Sequence, residues 1–192
     1  MAPTERPIDP GGKGAPAAGA VLESRARRAY EWGRLRWSLR LAPFVLLAAG
    51  AALSCGRPLD LTCALSSALL PLVVGLTFAG GSAGRGVLPG LLGGSVALAL
   101  PLLVRTVGHF CVGEACMAFC LPACVVGGAI AGAVIGATAR SEGVEAPFVA
   151  SALLIAGLTG ALGCTLSGLA GVGGMLAGAL AVGAPVLLAA RR

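Results

Sequence analysis

Hydrophobic positions fall in long uncharged runs, and short polar or charged clusters separate them. A membrane-spanning helix takes about 20 apolar residues. The runs predict six such helices, at about 37–55, 61–80, 87–104, 117–139, 147–165 and 171–190. Gly56, Arg57 and Pro58 end the first, and Asp60 can cap the second. GGSAGRG (80–86) predicts a short loop. Arg105 ends the third run and opens a polar loop, RTVGHFCVGEAC (105–116). Arg140, Glu142 and Glu145 mark the next loop. From Ala146 to Ala190 no residue is charged. As one helix that stretch would be about 68 Å long, against a hydrocarbon core of about 30 Å, so it must fold back once. CTLSGLAGVG (164–173) is the expected turn.

Ahead of these runs the pattern changes. Residues 1–20 are rich in Pro, Gly and Ala without an apolar period and predict a disordered tail. They also lack the apolar region of a signal peptide. Residues 21–40 predict a basic juxtamembrane helix carrying Arg25, Arg27, Arg28, Arg34, Arg36 and Arg40, with Tyr30, Trp32 and Trp37 among them. Aromatic rings beside basic groups suit a membrane interface.

Composition agrees with the pattern. Hydrophobic residues make up 57% of the 192 and charged residues 11%, which excludes both an ordinary soluble domain and a disordered chain. The fold class expected is an all-α, polytopic membrane protein of six helices, with the lipid bilayer as its first partner. The formal net charge of +6 lies beside apolar spans. It therefore points to orientation and anionic lipid, with no direct nucleic acid. With both termini cytoplasmic, Arg6, Lys13, the six arginines of 25–40, Arg85, Arg140, Arg191 and Arg192 lie inside. Only Arg57 and Arg105 lie outside. That asymmetry predicts a bacterial inner-membrane protein with both ends in the cytoplasm.

The chain has seven cysteines: Cys55, Cys63, Cys111, Cys116, Cys120, Cys124 and Cys164. On this topology all fall in the outer half of the membrane or just beyond it, where disulfides are chemically allowed. Their number is odd, so at least one is free or pairs between chains, as in a homo-oligomer. Small apolar cysteines also pack well between helices. Packing, redox chemistry and metal binding are all open to them. His109, Cys111, Cys116, Cys120 and Cys124 form the densest group. The last three stand four apart, on one helix face. Imidazole and thiolate ligands together suit a soft metal ion such as zinc or copper.

Other features concern packing. Gly128, Gly132 and Gly136 repeat every fourth residue, and so do Gly174 and Gly178. This spacing lets helix backbones approach closely. Pro71, Pro101, Pro122 and Pro185 lie inside spans and kink helices. No Asp, Glu, Lys or His lies mid-span, which argues against an ion-coupled transporter. One histidine cannot build a Ser-His-Asp set, and no phosphate-binding loop follows a strand, so no enzyme is expected.

Six spans, a short basic lead and almost no soluble domain resemble the NrsF-like membrane anti-sigma factors. Members of that family carry one cysteine around the third and fourth spans and another after the fifth. Here Cys111, Cys116 or Cys120 matches the first position, and Cys164, ending the run GALGC (160–164), matches the second. The chain departs in having five further cysteines and no proline after Cys164. The resemblance implies a membrane stress sensor that sequesters a cytoplasmic sigma factor and releases it under oxidant or heavy-metal stress. Cys111, Cys116 and Cys164 would then be the redox-sensing residues, and the six arginines of 25–40 the contact for the acidic partner.

Overall fold

A computed structural model describes residues 15–54, 58–108, 114–142, 145–164 and 168–190. Their regular elements are all helices: α1 (Ala15–Leu39), α2 (Ala42–Ser54), α3 (Leu59–Ala79), α4 (Gly81–Arg85), α5 (Val87–Gly108), α6 (Glu114–Glu142), α7 (Ala146–Cys164) and α8 (Gly168–Ala190). Six stretches among them are long and apolar enough to cross a membrane, with α1 and α2 contributing one jointly. The chain is a multi-pass membrane protein.

Boundaries differ from the sequence expectation in four places. Helix α1 opens at Ala15, inside the segment expected to be disordered, because alanines favour helix and proline is tolerated in a first turn. The first span is not one helix. Arg40 and Leu41 form a turn, their N–H groups donating to the carbonyls of Trp37 and Ser38 at 3.2 Å. Pro43 has no N–H to carry α1 onward. Alone, the 13 residues of α2 reach only about 20 Å, so the crossing also draws on the last turn of α1. Loop 80–86 contains the short helix α4. Gly80 and Gly81 take φ of 69° and 65°, a left-handed conformation that ends α3, and the Gly80 N–H closes on the Leu76 carbonyl at 2.9 Å. Finally, the turn expected at 164–173 is shorter. Cys164 is the last residue of α7, and Gly168 to Gly173 already belong to α8. Close packing between helices offsets the low helix propensity of their glycines.

Helices α6 and α8 make the most extensive contact, followed by α5 with α7 and α5 with α6. Gly128, Gly132 and Gly136 of α6 meet Met175, Ala179 and Val186 of α8 in rising order, so the two helices run parallel. Gly90 and Gly94 of α5 meet Ala152 and Ala156 of α7 in the same way. Helices α5 and α6 are antiparallel, with Gly93 against Ala131 and Ala97 against Gly127. Two parallel pairs thus lie side by side. Helices α2 and α3 cover one flank, where Val45, Ala48, Leu69 and Val73 pack with Val87, Leu91, Ile155 and Leu162. A hydrogen bond across elements, from the Ser151 hydroxyl to the Ala83 carbonyl at 2.8 Å, ties α7 to α4.

Candidate functional site

Each of the four central helices contributes one residue to a small dry cluster: Ala97 from α5, Cys124 from α6, Cys164 from α7 and Met175 from α8. Ala97, Cys124 and Cys164 are fully buried and Met175 is 3% exposed. The small residues around them create the space. Gly127 lets α6 close on Ala97, where a methyl group would stand 2.7 Å from the Ala97 Cα. Gly160 leaves room for the Met175 thioether. The Cys164 thiol donates to the Ala97 carbonyl over 3.8 Å, a weak contact that links α7 to α5.

Cysteine positions can now be placed. Cys120 is buried one turn from Cys124 on α6, and Cys63 is exposed on α3. Cys116 lies in the first turn of α6. His109, Cys111 and Cys55 lie outside the described residues. Of the three cysteines expected to sense redox change, the structure puts Cys164 in the core. The partner it shows there is Cys124, which sequence reasoning assigned to the metal group. Among the described residues, no three His, Cys, Asp or Glu side chains gather where they could hold a metal ion.

The glycines expected to pack do so at close range. A Cβ at Gly128, Gly132 or Gly178 would collide with the backbone carbonyl of Met175, Ala179 or Val125. At Gly136 it would stand 2.7 Å from Val186 Cγ1, and at Gly174 3.1 Å from Leu121 and Val125 side chains. Sequence reasoning missed Gly86, Gly90 and Gly94, which have the same four-residue spacing and serve the α5–α7 contact. It also missed Met175, whose signal was a single large side chain after two glycines.

A second region lies at one end of the bundle, where α1, α3, α4 and the first turn of α5 meet. Arg25, Arg27, Arg28, Arg36 and Arg40 are exposed along α1, while Arg34 is half-buried. Arg27 pairs with Glu31 at 3.2 Å. Arg36 covers the Trp32 ring and Arg40 the Trp37 ring, at 5.9 and 5.5 Å. Arg34 reaches further. Its guanidinium lies 5.6 Å from the Tyr30 ring and 5.5 Å from the Phe78 ring of α3, and its tip touches Gly80. A groove of about 400 Å³ beside it is lined by Arg28, Glu31, Trp32, Leu35 and Phe78. Arg85 faces Glu145 at 3.6 Å at the same end.

No family model, characterised protein or solved structure matches the chain.

Proposed function

We propose that this multi-pass membrane protein is an inner-membrane stress sensor with both termini in the cytoplasm. In this reading it is not an enzyme, and it holds a soluble regulator of the sigma-factor kind on the exposed arginines of α1. The observation that carries the reading is the junction of Ala97, Cys124, Cys164 and Met175, where all four central helices meet around two cysteines. Interiors packed at this density have no room for an added oxygen or a bound metal atom. Reaction at either sulfur must therefore push helices apart, and packed helices shift between discrete arrangements. The junction is closed to water, so the stressor that reaches it is lipid-soluble. Charge supports the orientation, because the basic residues crowd toward one side of the bundle. Exposed arginines beside tryptophans suit an acidic protein face.

The test is purification of the whole chain from its own membranes in mild detergent, with and without a lipid-soluble thiol oxidant. A sigma-type regulator should co-purify with the reduced protein and leave after oxidation. With Cys124→Ser and Cys164→Ser together it should stay. No soluble partner in either condition would sink the reading. Stoichiometric zinc or copper, lost with Cys120→Ser, would instead support soft-metal handling through Cys116, Cys120 and Cys124.

A further inference from the structure

Two adjoining clefts lie between α1, α3 and α5. One, of about 430 Å³, is lined by residues that include Trp37, Thr77, Gly80, Arg85, Leu88 and Thr138. The other, of about 300 Å³, is lined by Tyr30, Gly33, Arg34, Trp37 and Thr77. They share Trp37 and Thr77 and so form one groove. Thr77 and Thr138 already donate their hydroxyls to carbonyls of their own helices, Val73 at 2.7 Å and Val134 at 2.8 Å. The side-chain donors that remain along the groove are Arg34, Arg85, Trp37 and Tyr30, and no carboxylate lines it among the described residues.

We propose that this groove binds the phosphate of an anionic membrane phospholipid, with Arg34 and Arg85 as its grip. Three features favour lipid over a free anion. The groove stands at one end of the spans, at the depth where Trp37 would meet headgroups. Leu88, 56% exposed, and buried Pro89 form an apolar wall beside the arginines, fit for the first methylenes of an acyl chain. Basic pockets between spanning helices are also suited to anionic headgroups. Arg34 is set for the task. Phe78 and Tyr30 hold its guanidinium in place, and the bare Gly80 admits its tip. Glu145, at 3.6 Å from Arg85, engages at most part of that guanidinium, which has five N–H donors. A lipid here needs no soluble regulator on α1, so failure of one reading leaves the other standing.

The experiment is native mass spectrometry of the full chain in detergent, with phosphatidylglycerol and phosphatidylcholine of identical chains. The wild type should retain a single phosphatidylglycerol adduct in marked preference to phosphatidylcholine. Arg34→Gln should weaken it about fivefold. Phe78→Leu, which removes the platform but no charge, should weaken it several-fold. Arg25→Gln, on the exposed part of α1, should keep it, with unchanged helicity by circular dichroism in all three. Equal loss with Arg25→Gln and Arg34→Gln would mean diffuse attraction to basic charge and overturn the proposal. Thermal stabilisation by millimolar inorganic phosphate alone, with no lipid retained, would make this a free-anion site and overturn it too.

Discussion

The Thr159 hydroxyl is buried between α5 and α7, and no hydrogen-bond partner for it is found among the described residues. A serine or threonine in a helix usually answers such burial by donating to the carbonyl three or four residues back, as Thr77 and Thr138 do. Leaving a buried hydroxyl unpaired costs about 1–3 kcal/mol. Thr159→Val keeps the shape and removes the polar atom, so it should stabilise the protein by about 1 kcal/mol. Unfolding midpoints in mixed micelles measure this, and a lower midpoint for the variant would show that the hydroxyl has a partner after all. Cys164 poses a different question at the same scale. Its thiol reaches only the Ala97 carbonyl, at 3.8 Å, and its other neighbours are apolar. Its role rests on where it stands, at a meeting of four helices, more than on that one contact.

At the scale of elements, small residues decide which helices touch. Lipid tails are as apolar as leucine, so helices in a membrane associate through close packing rather than expulsion of water. The α6–α8 pair depends on this most. Gly128→Val forces two methyl groups toward the Met175 carbonyl and should cost about 3 kcal/mol. A wild-type midpoint in the same unfolding measurement would show that α6 and α8 do not meet there. Much of this level was legible in the sequence. Charges and turn residues bound spans three, four and five, and the glycine spacing on α6 and α8 marked faces that the structure shows in contact. The break at Arg40 and Leu41 was not legible, because an apolar run reads straight through Pro43. Nor was the meeting of Cys124 with Cys164. Their helices approach through α5, and which spans are neighbours depends on pairings that no single run records.

For the whole molecule, the arginines make a prediction about sidedness. Ser141 is exposed at the end of α6, beside Arg140, and Asp60 is exposed at the opposite end of the bundle, in the first turn of α3. With both termini inside, Asp60→Cys should react with a membrane-impermeant maleimide in intact cells, above the signal of the unsubstituted chain. Ser141→Cys should react only after the membrane is opened. The reverse pattern would invert the topology and move the arginines of α1 out of reach of any cytoplasmic regulator.

The pairing of central helices also bears on how the protein is made. Each parallel pair skips a neighbour, since α5 packs on α7 and α6 on α8. While α7 is still emerging from the ribosome, the glycine-lined faces of α5 and α6 rest against acyl chains. Those flexible chains cannot match a bare backbone as a second helix can. Arrival of the α7–α8 hairpin closes both faces, together with the cysteine junction between them. Biogenesis thus ends in one late docking event. A nascent chain stalled before α8 would present quality-control proteases with an open, glycine-lined seam.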